Sequence, residues 1–218
     1  MIRLPLVPER ERMRTRLLLL LLCVLLPACG PQVVQMKALN EFPRPLVDPL
    51  PIRVGLHIPP EFAAYTYHEK RPGPAGQEWT ISIGPPQAQV FQEMLGALFS
   101  GVDVLDSPTA GGNGLAAVIV PGVAEFQFAL PADTKAKVFE IWVKYDLGIR
   151  TAKGEEIGHW QFTAYGKTPT AFLKSDEEAI RAATIVALRD AGASLVSGLE
   201  RDPRLREWLG VEQPADKP

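Results

Sequence analysis

Between Val138 and Tyr165 the chain alternates apolar and polar residues over a length that only a long β-hairpin can use. Phe139, Ile141, Val143, Tyr145, Leu147 and Ile149 fall in one set, and Glu140, Trp142, Lys144, Asp146 and Gly148 in the other. A period of two places the sets on opposite faces of a strand. Lys153-Gly154 makes the turn, and the return strand from Ile157 puts Trp160, Phe162 and Ala164 on one side. The apolar face has to be covered, so whatever else the chain forms must pack on it.

Two segments have the pattern to do so. Gly84-Pro85-Pro86 suits a helix start, because proline in the first turn loses a hydrogen bond the helix would not have made. Val90, Phe91, Met94, Leu95, Leu98 and Phe99 then share one side, and Gly101 ends the run. Ser175 with Glu178 three residues on has capping-box spacing, and Asp176 and Glu177 add negative charge where the helix dipole favours it. Its stripe of Ile180, Ala183, Ala187, Leu188, Ala191, Leu195 and Leu199 is rich in alanine, which permits close approach to a sheet. Asp202-Pro203 breaks this helix, and Leu205, Trp208 and Leu209 fit a short further one.

Shorter strands are expected at Ile52–Ile58, Phe62–Tyr67, Trp79–Ile83, Val102–Leu105, Ala116–Val120 and Val123–Leu130. Strands, helix, several strands and helix in that order imply an α+β fold: a largely antiparallel sheet with two main helices packed on one face and a short C-terminal helix. The other face is left to solvent or a partner.

The N-terminus carries an address. Leu17–Leu26 is apolar apart from Cys23, follows Arg14 and Arg16, and runs into Leu25-Leu26-Pro27-Ala28-Cys29-Gly30. Such a run is too short for a membrane span and has the length of a signal-peptide core. The segment resembles a bacterial lipobox, with Leu26 three residues before Cys29 and Ala28 just before it; Pro27 departs from the usual Ala, Ser or Thr. Met13 offers an alternative start that leads directly from charge into leucines. The expected organisation is a lipoprotein signal peptide over 1–28, a proline-rich tether over 29–50, a single α+β domain over 51–209 and a disordered tail over 210–218. Val33, Val34, Leu46 and Val47 leave open that the tether packs along the domain.

Cleavage before Cys29 removes five arginines and two glutamates, moving the net charge from −2 to about −5, a mild acidity that argues against nucleic-acid partners. Cys23 leaves with the signal and Cys29 would carry lipid. No thiol would remain for a disulfide, a zinc site or a nucleophile.

No catalytic, metal or cofactor motif emerges. Gly111-Gly112-Asn113-Gly114 precedes a strand pattern, whereas a phosphate loop needs a helix N-terminus there. His57, His68 and His159 lack metal-ligand spacing, Ser194 lacks the closing glycine of a nucleophile elbow, and Asp103, Asp106, Asp133 and Asp146 could pair only through tertiary contact. A hydrolase would need an acid and a histidine to meet in a cleft, for example Asp146 with His159 across the hairpin. Phe62, Tyr65, Tyr67 and Trp79, beside a proline-flanked loop, form a candidate partner surface, with core packing as the competing reading.

With lipobox, tether, hairpin and final helix in place, the chain resembles the YajG-type bacterial envelope lipoproteins, a poorly characterised outer-membrane group. The similarity runs from about Phe139 to Leu209, through the turn at Gly154, Ala164-Tyr165, Ala171-Phe172, Leu188-Arg189-Asp190 and Asp202. It implies lipidation at Cys29 and a periplasm-facing outer-membrane site, since Gly30 rather than Asp follows the cysteine; it brings no catalytic residue. The expected role is a non-enzymatic, cofactor-free lipoprotein, held to the membrane by its N-terminal lipid, that docks another envelope component. The alternative is an auxiliary of an envelope transport system that binds lipid or a small apolar ligand between helices and sheet.

Overall fold

The computed structural model describes residues 31–36, 42, 45–72, 77–169 and 175–209. The expected signal peptide 1–28, Cys29, Ala171, Phe172, the expected tail 210–218 and residues 37–41, 43 and 44 of the expected tether lie outside the described residues, as does the Leu199 side chain. The elements run β1 (Gln32–Gln35), β2 (Leu50–Leu56), α1 (Pro60–Ala63), β3 (Thr66–Lys70), β4 (Glu78–Ser82), α2 (Gly84–Leu98), β5 (Phe99–Val104), β6 (Ala117–Ala129), β7 (Val138–Arg150), β8 (Glu156–Pro169), α3 (Asp176–Arg201) and α4 (Pro203–Trp208).

The hairpin is β7 and β8, in register from Val138 opposite Pro169 to Arg150 opposite Glu156, with an irregularity after Ile149. Gly154 takes φ +87 in the turn, a conformation that costs glycine little. β6 adds an antiparallel third strand, with a bulge between Val123 and Glu125 that interrupts the ladder. Pro121 is tolerated inside β6 for a local reason. The His57 N–H donates to the Ile119 carbonyl as the last bond from the β2 side. Two residues on, the missing proline N–H therefore points at an edge that β2 has already left.

The expected single sheet is two. A 5-stranded sheet has the order β5-β2-β6-β7-β8, and a 3-stranded sheet the order β1-β4-β3. β2 pairs in parallel with both β5 and β6, and β1 pairs in parallel with β4. The parallel pairing follows from connectivity, because α1, β3, β4 and α2 all lie between β2 and β5 and form a crossover long enough to return the chain in the same direction.

A second correction concerns the tether. Gln32–Gln35 pairs with Trp79–Ser82, Val34 is fully buried, and Met36 and Phe42 join the core. The α3 residue Arg181 donates from Nη1 to the Gln35 carbonyl at 2.8 Å. Residues 29–50 are thus not one free leash; part of them is structure. Phe62–Tyr67 also differs from the expected strand: Pro60 opens a one-turn helix at its first position, and the extended segment begins only at Thr66.

The apolar hairpin face is covered as its pattern demands. Ile141, Val143, Tyr145, Leu147 and Ile149 are buried, as are Ala179, Ile180, Ala183, Ala187, Leu188, Ala191 and Leu195 of α3. The helix sits on the strand backbone itself: a Cβ on Gly166 would lie 2.0 Å from the Ala183 carbonyl oxygen. Ser175 caps α3, its Oγ accepting from the Glu178 N–H at 3.2 Å. Beneath α2, Gln87 is fully buried and donates from Nε2 to the Phe62 carbonyl at 2.6 Å, while Tyr145 Oη donates to Gln87 Oε1 at 3.3 Å. Satisfied polar groups of this kind cost little to bury and fix α1, α2 and β7 in one arrangement. Burial pushes the Tyr145 hydroxyl far above its ordinary range, so it stays neutral and donates.

Candidate outer-face site

The helices take one face of the 5-stranded sheet, and the polar set of the hairpin alternation lines the other. Trp142 on β7 stands opposite Tyr165 on β8. Their rings are tilted by 34° with centroids 5.4 Å apart, and both are half-buried. Tyr165 Oη donates to Glu140 Oε1 at 2.5 Å. That hydrogen bond, with burial second, pushes the tyrosine pKa up to about 12. On the edge of β8 the Tyr165 N–H is held by Asp190 of α3 at 2.8 Å. The pair is consequently fixed in place from the sheet, a carboxylate and the helix. Beside it Glu125, Gln127, Trp142, Lys144 and Thr163 line a shallow depression of about 180 Å³.

Further along the same face, the strand pairing brings Asp146 and His159 together. His159 Nδ1 lies 3.0 Å from Asp146 Oδ1, and Nε2 lies 3.4 Å from Glu156 Oε2. Gln161 donates to the other Asp146 oxygen at 3.3 Å. The hydrogen bond to Asp146 is the main reason the imidazole pKa is raised, against a smaller lowering by desolvation. Asp146 and His159 border an open depression of about 270 Å³ lined along β6 by residues 120–124. The acid and histidine that a hydrolase would need do meet. Their chemistry, however, is that of a clamp: both ring nitrogens face carboxylates, which favours an imidazolium donating to both. A general base needs one nitrogen free to take a proton from a nucleophile. Among the described residues no serine, threonine or cysteine hydrogen-bonds His159.

The aromatic surface read from the sequence is taken apart by the fold. Trp79 and Phe62 are 0% and 1% exposed and belong to the core, so neither can meet a partner. Phe62 packs edge-on against Phe91 at 5.1 Å, and Trp79 against Phe128 at 5.3 Å. Tyr65 and Tyr67 are half-buried and cluster with Phe126, at 6.3 and 4.8 Å. This cluster joins the small sheet to β6. Tyr67 Oη donates to Glu69 at 2.8 Å, and burial, followed by that bond, pushes its pKa up to about 12. Arg71 closes the joint: its guanidinium lies 4.3 Å from the Phe128 ring centroid, binds the Asp133 carboxylate, and donates to the Phe128 carbonyl at 3.2 Å.

His57, His68 and Asp103 have structural partners. His57 Nδ1 is 3.0 Å from the Leu105 carbonyl, His68 Nδ1 is 3.1 Å from Thr80 Oγ1, and Asp103 pairs with Arg53 at 2.5 Å. The glycine loop precedes β6, and a Cβ on Gly111 would lie 2.7 Å from the Ala152 carbonyl oxygen, so the loop rests on the hairpin turn. Among the described residues no three His, Cys, Asp or Glu side chains converge to hold a metal ion, and no helix is long and apolar enough to cross a membrane. Cys29 lies outside the described residues. Sequence reasoning placed Trp142 on the wet face and passed over it; a tryptophan among Glu140, Lys144 and Asp146 was the available signal.

No protein-family model and no curated protein matches the chain. Solved structures with a similar layout include a Xanthomonas campestris protein of the DUF330 family, at 13% identity over 77% of this chain and 92% of that one, TM-score 0.45. A minor lipoprotein from Acinetobacter baumannii is 12% identical over 69% and 91% of the two chains, TM-score 0.41. An uncharacterised lipoprotein B from Nitrosomonas europaea is 13% identical over 73% and 90%, TM-score 0.37. These neighbours are bacterial proteins, two of them named as lipoproteins, and at such scores they carry no inference about activity.

Proposed function

We propose that this chain is a non-enzymatic, lipid-anchored lipoprotein of the bacterial envelope, held at the outer membrane on its periplasmic side through Cys29, that docks another envelope component on the outer face of the 5-stranded sheet. The anchor is supported by the charged, apolar and Leu-Pro-Ala-Cys order of residues 14–29, and the outer membrane by Gly30 in the position where Asp would signal retention. The single observation that carries docking is the half-buried Trp142–Tyr165 pair on a face that no described helix crosses. Aromatic rings fixed in place and rimmed by Glu140, Lys144 and Gln127 have the composition of an interface hot spot, because rigid rings lose little entropy on binding and the rim keeps water out.

The alternative, an apolar ligand between helices and sheet, finds that space filled. Phe91 lies 5.0 Å from Tyr145 and 5.1 Å from Phe62, and Tyr145 lies 5.4 Å from Phe162. Docking is tested in intact cells with a photo-crosslinking residue at Gln127 or Thr163 on the outer face, and at exposed Arg189 of α3 as the control. A discrete adduct from the outer face that disappears in Trp142→Ala is expected. An equal adduct from Arg189, or one indifferent to Trp142→Ala, contradicts the assignment.

A further inference from the structure

Only Gly30 and Pro31 separate Cys29 from Gln32, the first residue of a strand bonded into the small sheet. Three residues span at most roughly 10 Å. We propose that the end of the molecule where β1 enters faces the bilayer, with Lys70, Lys135 and Lys137 against anionic headgroups; this rests on lipidation of Cys29.

Strand register locates that end. Gln32 is opposite Trp79, Trp79 is opposite Glu69, and Lys70 is opposite Glu78. Lys70 is therefore two strands across from β1, about 10 Å at the usual spacing. Arg71 follows it, and its bonds to Asp133 and the Phe128 carbonyl bring the β6–β7 connection to the same end. Lys70, Lys135 and Lys137 are exposed and have no ion-pair partner among the described residues. Arg71 is occupied by Glu69 and Asp133; the other acids at this end are exposed Glu78 and, in the first turn of α3 next to the Pro169 end of β8, Asp176, Glu177 and Glu178. Lys153, by contrast, lies in the β7–β8 turn at the other end.

Two length scales make the arrangement effective. Attraction between a cation and an anionic surface decays over a Debye length, about 8 Å at physiological salt. A leash of at most roughly 10 Å holds this end to within little more than one Debye length of the surface, whereas a free leash of some twenty residues would not. The processed chain is net acidic, at about −5, so attraction to an anionic surface can come only from local unpaired lysines, which orient the molecule rather than bind it as a whole.

The test uses the full, lipidated chain in vesicles of phosphatidylethanolamine with phosphatidylglycerol, and in phosphatidylcholine alone. Because the processed chain has no free thiol, Ala132→Cys and Lys153→Cys each accept a single fluorophore. Lipids carrying a headgroup quencher should quench the label at position 132 at least threefold more than that at 153 in the anionic vesicles. Lys135→Glu with Lys137→Glu should remove most of that difference while the protein still floats with the vesicles, since each lysine near such a surface is worth roughly fivefold in binding. Flotation with equal quenching at the two positions overturns the orientation. Equal quenching at position 132 in phosphatidylcholine overturns its electrostatic origin. Failure to float overturns the anchor itself, and with it the proposal.

Discussion

Gly166→Ala should loosen the long helix from the hairpin, and the size of the effect follows from what the new methyl group would meet. Its carbon would lie 2.0 Å from the Ala183 carbonyl oxygen, 2.4 Å from the Ala187 nitrogen and 3.0 Å from the Ala187 Cβ. Carbon–oxygen contacts settle near ~3.3 Å, so α3 must withdraw by about 1 Å. Two of the three atoms are backbone and cannot rotate away. Overpacking typically costs about 1–3 kcal/mol, and a clash with backbone belongs at the top of that range. Set against a typical total of about 5–15 kcal/mol, a loss near 3 kcal/mol is a large fraction. Urea unfolding followed by circular dichroism reads it directly; with a slope of about 2 kcal/mol/M the midpoint falls by roughly 1.5 M. Gly96→Ala is the matched control, since a Cβ there meets nothing within 4 Å and the residue is exposed in α2. It should leave stability unchanged or raise it by up to about 1 kcal/mol. A Gly166→Ala variant within about 0.5 kcal/mol of the parent would refute the helix-on-backbone packing; ordinary surface substitutions have effects of that size.

Gln87→Leu leaves the Tyr145 hydroxyl buried without its partner and the Phe62 carbonyl with only the Tyr65 N–H at 3.3 Å, and should cost about 1–3 kcal/mol in the same urea experiment; a neutral result would mean the network is not formed. Ser175→Ala removes the cap on α3 and should lower stability by about 1 kcal/mol, with Ser175→Asp restoring it. The His159 imidazole should titrate above 6.5 by NMR, and Asp146→Asn should bring it down. Because the folded pKa is the raised one, the stabilisation from this clamp is fully present below the unfolded value near 6.5 and is lost as pH rises through the folded value; a clamp that strengthened with rising pH over that window would contradict the assignment.

Side-chain periodicity and helix-end chemistry were legible because both are local. The hairpin register centred on Gly154, the capping box at Ser175 and Glu178, and the alanine stripe of α3 all stand where the residues indicate. Strand pairing was not legible, because alternation in Ile52–Ile58 says which side chains face inward but not which neighbour the backbone bonds. β2 accordingly turned out parallel to both its neighbours. β1 was hidden by its length, four residues in a proline-rich stretch, and its stability comes from β4 and Arg181, both distant in sequence. The aromatic site failed for a related reason. Phe62 and Trp79 look available beside a loop, but their burial depends on Phe91 and Phe128, which reach them only through the crossover and β6. Trp142 failed in the opposite sense, since a large ring in a polar register is an anomaly that pattern counting absorbs as one mismatch.

Compartment, orientation and docking all depend on the chain being processed and lipidated at Cys29. The most direct measurement is the intact mass of the protein extracted from cell membranes. The expected chain begins at Cys29 and carries a diacylglyceryl group on its sulfur and an acyl group on its amine. A mass that begins at Met1 or Met13, or one that begins at Cys29 without lipid, would contradict it.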